Sequence, residues 1–433
     1  MEDSTFILKI DSLSYGGRGV GRRADGKVVF VPMTIPGEKI HVRIDKEHSS
    51  YIQATLVDII NPAPSRVRPR CKIFTSCGGC SWQHISYEEQ LHWKQDILVG
   101  EITKICKTIP DNIYPPVASK KIYGYRRHAR IQCLYEPEFK MGFFIGGSNE
   151  VACFEECPVL NNTIQKTLTG LSSILRRYPV YNLSEINIRA PQDDVLVLAR
   201  CKGRIRDRDI SIMDKIYNEL KISGISFIVP SPHRRDWVLG QRYCSYTLTI
   251  GDIQIQMESG FEGFIQANAY INNAMIKYII SLANGSKRLL DLYSGSGNFS
   301  LPLTIRHRQT TEIVAIDNNK RLVHQGKLNA RKNKIKNTKF FCMDTAKAIQ
   351  VMAAESVCFD TIVLNPPREG AKDVIDNITP LGASRIIYIS CNPTTMARDI
   401  TTLISHGFKF KSIRLFDMFP QTYHIESIAY LER

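Results

Sequence analysis

Three apolar runs in the last third of the chain each stop at a turn that carries chemistry. Leu289-Leu290-Asp291-Leu292-Tyr293 runs into Ser294-Gly295-Ser296-Gly297-Asn298, a glycine turn that opens a helix. A second run gives way to Asn365-Pro366-Pro367-Arg368, and a third, Ile386-Ile387-Tyr388-Ile389, to Ser390-Cys391-Asn392-Pro393. Short apolar runs separated by helical periodicity specify a parallel sheet buried on both faces, because the connecting helices must cross over it. In such sheets the ligand crevice lies beyond the carboxyl ends of the strands. The chain therefore delivers a glycine loop, a polar Pro-Pro turn and a thiol to one crevice.

The same alternation runs from about residue 260 onward. Candidate strands are 288–293, 312–317, 338–343, 359–364, 385–390, 408–416 and 426–432. A loop rather than a helix joins the last two, so they form an antiparallel terminal hairpin. Seven strands in this arrangement fit the α/β, Rossmann-like sheet of an S-adenosylmethionine-dependent methyltransferase, predicted over residues 257–433. Upstream the pattern changes. Residues 1–62 hold five short strand runs split by Gly and Pro, which predicts a small OB-like β-barrel. Pro62, Pro64 and Pro69 mark a linker. Residues 63–256 read as a central α+β domain without a dinucleotide-type glycine motif; its helix at 87–105 is a candidate to dock on the catalytic domain. At 433 residues the chain has room for all three cores.

Charge points to the partner. A net charge of +15 favours a polyanion, most simply nucleic acid. Lys120, Lys121, Arg126, Arg127 and Arg130 cluster around Tyr123 and Tyr125, aromatics suited to stacking on bases. A second cluster, Arg331, Lys332, Lys334, Lys336 and Lys339, follows the cofactor region on a helix and reads as a solvated face. No run has the length of a membrane span, and the N-terminus lacks a leader-type apolar region, so a cytoplasmic protein is expected. Twelve cysteines without an export signal argue against a disulfide framework. Most, including Cys133, Cys201, Cys244, Cys342 and Cys358, read as apolar fillers. Cys71-x5-Cys77-x2-Cys80 around Gly78-Gly79 does not. It has the spacing of a zinc or iron–sulfur site, with Cys153 or Cys157 as the fourth ligand.

The crevice residues suggest their chemistry. The glycine turn lets backbone approach a ligand at a helix N-terminus. Asp317 ends the next strand, where a carboxylate accepts from ribose hydroxyls, and Asp344 ends the third, within reach of an adenine amine. No lysine follows the glycines in P-loop fashion, which disfavours an ATPase. A thiolate such as Cys391 adding to C6 of uracil makes C5 nucleophilic toward a methyl sulfonium. A base, Glu426 or His424, must then remove the C5 proton. Amino-group methyltransferases place an aromatic after the proline pair, where Arg368 stands. DNA cytosine-C5 enzymes place the cysteine directly after a proline there, and none is present. Uracil C5 fits best.

Together these motifs resemble the RNA 5-methyluridine methyltransferases, in particular the bacterial 23S rRNA type with an N-terminal TRAM domain. The resemblance runs through nearly the whole chain: Gly16-Gly17-Arg18-Gly19-Val20-Gly21, Phe30-Val31-Pro32 and Pro36-Gly37-Glu38 in the barrel, Cys77-Gly78-Gly79-Cys80-Ser81-Trp82-Gln83-His84, Phe264-Ile265-Gln266-Ala267-Asn268, Ser390-Cys391-Asn392-Pro393 and Phe419-Pro420-Gln421-Thr422. It implies Cys391 as nucleophile and Glu426 as base. Gln266, Tyr293, Asn298, Asp317 and Asp344 are implied around S-adenosylmethionine, with Asn365 between cofactor and base. The family's usual residue at 365 is Asp, so Asn offers an amide hydrogen bond in place of a charged acceptor. Cys157 is implied as the partner of Cys71, Cys77 and Cys80 in a [4Fe–4S] cluster of the central domain. The implied substrate is rRNA, with tRNA as the alternative, and a monomer is expected. An RNA-binding assembly factor without catalysis is the rival from another class; the presence of both Cys391 and Glu426 speaks against it.

Overall fold

Among the described residues the strands gather into four sheets. The structure, a computed structural model, describes residues 5–135, 138–229, 235–306 and 312–433. The N-terminal sheet contains β1 (Thr5–Lys9), β2 (Ser12–Leu13), β3 (Gly19–Arg22), β4 (Val28–Val31), β5 (Lys39–Glu47) and β6 (Tyr51–Asn61), in the order β1-β5-β6-β4-β3-β2. Its inward side chains, Leu8, Val29, Val31, Ile40, Val42 and Ile52 among them, follow the two-residue period of a half-buried sheet. The five expected runs are present, and the two-residue β2 adds a sixth strand.

Two elements that the sequence placed in the central domain belong to the catalytic unit. Helix α1 (Tyr87–Cys106) buries Ile97, Leu98, Ile102 and Cys106 in the same core as the C-terminal strands. Strand β7 (Asn112–Val117) pairs parallel with the segment Lys409–Phe416. Its sequence, Asn-Ile-Tyr-Pro-Pro-Val, reads as linker; two prolines are tolerated because the strand lies at the sheet edge.

The central sheet follows. It is built from β8 (His128–Leu134), β9 (Lys140–Phe144), β10 (Val151–Cys153), β11 (Leu183–Arg189), β12 (Leu196–Cys201), β13 (Gly224–Val229) and β14 (Arg235–Gly240), ordered β10-β9-β8-β11-β12-β13-β14. Helices α2 (Asn162–Arg177) and α3 (Asp207–Leu220) close its core. Asn161 caps α2 by accepting from the Ile164 N–H at 2.8 Å. The hairpin β15 (Tyr243–Ile250) and β16 (Ile253–Gly260), also expected in the central domain, packs instead into the catalytic core.

The catalytic unit continues with α4 (Ala269–Leu282), β17 (Arg288–Leu292), α5 (Ser300–Arg306), β18 (Glu312–Asp317), α6 (Lys320–Lys332), β19 (Thr338–Cys342), α7 (Thr345–Ala354) and β20 (Thr361–Leu364). After these come α8 (Lys372–Ile375), β21 (Arg385–Ser390), α9 (Pro393–Ser405), β22 (Lys409–Phe416) and β23 (Ser427–Glu432). The sheet order is β19-β18-β17-β20-β21-β23-β22-β7. Strands β17 to β21 are parallel, and β23 inserts antiparallel between β21 and β22. The seven predicted strands are found to within two residues at each end, and β7 makes an eighth. The catalytic unit is thus discontinuous in sequence, with the central domain inserted between β7 and β15. Among the described residues no helix is long and apolar enough to cross a membrane.

Candidate active site

The register of β21 and β23 brings the two expected catalytic groups together. Their ladder runs from Arg385↔Glu432 to Ser390↔Ser427. Continued by one rung, it sets Cys391 opposite Glu426. Glu426 is buried, and burial pushes its carboxyl up to about 7. Burial, and then the Glu426 charge, push the half-buried Cys391 thiol upward, while Arg368 opposes them through its charge and a hydrogen bond. Arg368 thus does more than stand where an aromatic is missing. Its backbone carbonyl also accepts from Asn392 Nδ2 at 3.0 Å and Thr395 Oγ1 at 3.1 Å, tying the two strand-end turns together. His424, the other base candidate, lines a separate cysteine-walled cavity, and burial holds its ring down to about 4.

The barrel contributes to this site, which sequence reasoning missed. Tyr15 donates its hydroxyl to the Cys391 carbonyl at 3.4 Å. Gly17 sits at φ +83°, and a Cβ there would lie 2.9 Å from Tyr423 and 3.0 Å from Trp82 Nε1. Trp82 donates from that nitrogen to the Gly17 carbonyl at 3.1 Å. The only signal in the sequence is an aromatic directly before Gly16-Gly17, which reads equally well as a barrel turn.

The cofactor candidates collect at the neighbouring strand ends. Tyr293 follows β17 at φ 62°, and Gly295 and Gly297 continue the turn at positive φ. A Cβ on Gly297 would lie 2.9 Å from Leu301 and Phe340, whereas one on Gly295 would meet nothing within 4 Å. Asp317 accepts from the Gly295 N–H at 2.9 Å and the Asn319 N–H at 2.8 Å. Asp344 caps α7 by accepting from Lys347 N–H at 3.0 Å. Asn298 exchanges two 2.9 Å amide hydrogen bonds with Asn272, which leaves each one N–H and one lone pair. Asn365 donates its backbone N–H to Leu292 at 3.3 Å, so its turn abuts the end of β17. The Gln266 carbonyl accepts from Arg127 at 3.1 Å. Asp291 Oδ1 and Ser294 Oγ are buried without a hydrogen-bond partner, and burial pushes Asp291 up to about 7. Orphaned polar atoms beside a glycine turn with open space fit a ligand that brings its own hydrogen-bonding groups. Sequence reasoning assigned no role to Asp291, although it lies in the motif that precedes the turn.

Cys71, Cys77, Cys80 and Cys157 line one cavity of about 280 Å³ together with Gly78, Gly79, Arg126 and His424. Cys153 is exposed and lines an adjoining hollow instead. The backbone around these thiols is pinned: Cys71 N–H donates to Gln83 at 3.0 Å and Cys157 N–H to Gln165 at 2.9 Å. Among the described residues no group of three or more His, Cys, Asp or Glu side chains is arranged to hold a metal ion. The four thiols surround a void rather than converging on a point.

The basic cluster near residue 125 is less available than its sequence suggested. Arg127 is buried, donating to the carbonyls of Pro191 and Gln266. Tyr125 is buried too, with its hydroxyl on the Pro420 carbonyl at 3.0 Å, so it cannot stack on a base. Arg130 pairs with Glu185. Lys120 and Lys121 remain exposed, Lys120 over the ring of Tyr270. In the second cluster Lys332 pairs with Glu258 and Lys339 with Glu312, as a solvated face requires.

A parallel sheet with a glycine turn at its first strand and an antiparallel last strand is the architecture expected of an S-adenosylmethionine-dependent methyltransferase. Comparison with known proteins narrows the class. The chain belongs to the tRNA (Uracil-5-)-methyltransferase family, whose profile matches residues 87–433, and a TRAM domain matches residues 1–57. The family match begins at α1, the first element of the catalytic unit. The chain is 32% identical to the 23S rRNA (uracil(1939)-C(5))-methyltransferase RlmD of Pseudomonas fluorescens, over 98% of this chain and 93% of that one. It is 31% identical to the protein of the same name from Alkalilimnicola ehrlichii, over 99% and 96%. The crystal structure of Pyrococcus abyssi tRNA (uracil-54, C5)-methyltransferase with S-adenosyl-L-homocysteine superimposes with a TM-score of 0.77 at 22% identity, over 98% of this chain and all of that one, and shares the fold. This protein is an S-adenosylmethionine-dependent RNA uracil-C5 methyltransferase.

Proposed function

We propose that this protein methylates C5 of a uridine in 23S rRNA, with Cys391 as nucleophile and Glu426 as base. The observation that carries the chemistry is the β21–β23 register, which, carried on by one rung, sets Cys391 opposite Glu426 on adjacent strands. The near-full-length relatives named for 23S rRNA support the substrate. Gln266, Tyr293, Asn298, Asp317, Asp344 and Asn365 would hold S-adenosylmethionine, which would supply an electrophilic methyl group. Cys391 adds as thiolate to C6 of the uracil, and the electron pair passes to the C4 oxygen as an enolate. C5 then attacks the methyl group and releases the thioether. Glu426 takes the C5 proton, the C6–S bond breaks, and 5-methyluridine leaves with the thiolate restored. A carboxyl near pH 7 suits that step, since it is partly ionised at working pH.

The cysteine cavity supports a [4Fe–4S] cluster held by Cys71, Cys77, Cys80 and Cys157. A single ion draws its ligands to roughly 2.0–2.3 Å. A void of about 280 Å³ is several times the ~30 Å³ share of one water molecule, and thus suits a polynuclear group. The methyl transfer needs no electron from it; the cluster would cross-link the 71–83 segment to the Cys157 loop. A cytoplasmic enzyme acting as a monomer completes this reading.

Target RNA carrying 5-fluorouridine tests the chemistry. The wild type should form a methylated covalent adduct, because fluorine cannot leave as a proton does, and Cys391→Ala should form none while still binding RNA and S-adenosylmethionine. A wild type that turns over ordinary RNA without ever being trapped would exclude this route. Mass-spectrometric mapping of 5-methyluridine in rRNA and tRNA from a strain lacking the gene decides the substrate; loss from tRNA alone would replace rRNA with tRNA.

A further inference from the structure

A single line of hydrogen-bonded side chains, touching neither thiol nor glycine turn, joins the two halves of the crevice. Lys94 on α1 donates to Asp417 Oδ1 at 2.6 Å and to the Phe419 carbonyl at 3.0 Å. Tyr87, two turns earlier on the same helix face, donates its hydroxyl to Asp417 Oδ2 at 2.7 Å. The same hydroxyl accepts from the Ser119 N–H at 2.7 Å. Ser119 Oγ in turn accepts from Asn268 Nδ2 at 2.7 Å, and Asn268 accepts from the Ile271 N–H as the cap of α4. At one end Asp417 opens the loop that leads to Glu426; at the other Asn268 stands two residues after Gln266.

We propose that Lys94, Asp417, Tyr87, Ser119 and Asn268 form a positioning relay that holds the base-bearing loop in register with the cofactor-bearing segment. Stability alone does not call for such a line. Lys94 and Asp417 have no side-chain exposure, and an apolar pair of the same volume is commonly as stable as a buried ion pair. What an apolar pair lacks is direction: the carboxylate fixes two partners at once, and the tyrosine hydroxyl both donates and accepts. The same face of α1 holds Gln90, which donates to Gln421 at 3.1 Å and accepts from the Gln421 N–H at 2.9 Å, so the loop is gripped along its length. Misplacement of reacting groups by about 1 Å can cost a hundredfold in rate while binding of either partner persists. The relay acts through Glu426 and Gln266, and so rests on the roles proposed for them.

Tyr87→Phe removes one hydroxyl and keeps the ring. In the full-length protein we expect S-adenosylmethionine and RNA affinities within about twofold of wild type, with single-turnover methyl transfer slowed roughly ten- to a hundredfold. The pH profile should keep its shape, since neither Cys391 nor Glu426 is touched. The paired variant Lys94→Met with Asp417→Leu should melt near the wild-type temperature and remain slow in methyl transfer. Wild-type transfer by the folded Tyr87→Phe protein, or by the folded pair, would reduce the line to scaffolding and overturn the proposal. A wrong chemical assignment would show elsewhere, as a wild type that forms no adduct with 5-fluorouridine RNA.

Discussion

Glu426 meets opposite demands from folding and from turnover. Burial places its folded pKa at about 7, above the 4.5 of the free side chain. Its neutral form therefore contributes fully below about pH 4.5, and that contribution is lost as pH rises through about 7, an effect of about 3 kcal/mol. Glu426→Gln should raise the melting temperature at pH 8 and change it little at pH 5. The same substitution removes the proposed base, so a methylated covalent complex should accumulate on ordinary RNA, visible as a protein–RNA mass by denaturing electrophoresis. Normal turnover would transfer the role to His424. That Cys391 stands at a strand end was legible in sequence, because the apolar run before it is continuous; the choice of Glu426 over His424 came from the family resemblance and not from local pattern. Tyr15, Arg368 and Asp291 were not. Tyr15 acquires its role from a partner 376 residues away, and Asp291 looks like any acid inside a strand until its burial is known.

At the level of elements, the β2–β3 turn fastens the barrel to the catalytic loop. Gly17→Ala would force a Cβ at positive φ against Tyr423 Cβ, which is tied to the backbone, and against the fully buried Trp82. We expect about 1–3 kcal/mol of destabilisation with a drop in methyl transfer, read by denaturant melts and single-turnover assays. Gly16→Ala, whose Cβ would meet nothing within 4 Å, separates backbone strain from this collision. The seven main strands were legible because burial on both faces leaves continuous apolar runs. Strand β7 was not, since edge strands tolerate proline and exposure. Nor was the split face of α1: its Tyr87, Gln90 and Lys94 are polar where periodicity alone would expect core, and only their partners on the 417–421 loop explain them.

For the whole molecule, the exposed lysines and the cysteine cavity make separable predictions. Lys120→Ala with Lys121→Ala should weaken RNA binding and flatten the log–log salt dependence by roughly 0.7 for each phosphate of single-stranded RNA that is no longer neutralised, leaving S-adenosylmethionine affinity alone. Arg127→Ala should instead lower stability, because it strips donors from the carbonyls of Pro191 and Gln266. Unchanged salt dependence in the lysine pair would send the docking surface to the barrel. Anaerobically purified protein should carry about four iron and four sulfide per chain. Cys157→Ser should lose them and Cys153→Ser should not; zinc, or the reverse pattern, would replace the cluster assignment.

The inserted central domain has a consequence for how this chain is made. Asn112 on β7 must find Ser412 on β22, and Lys94 must find Asp417, some 300 residues later. At roughly 5–20 residues per second, a ribosome needs about 15–60 s to supply those partners. Throughout that interval α1 presents to solvent, or to a chaperone, the ammonium and apolar flank that the finished enzyme hides. Strands β22 and β23 seal α1, so a nascent chain cut short before residue 409 should stay open to proteases along its α1 segment. Strand β22 and the loop after it are thus the latch for which a helix made some 300 residues earlier must wait.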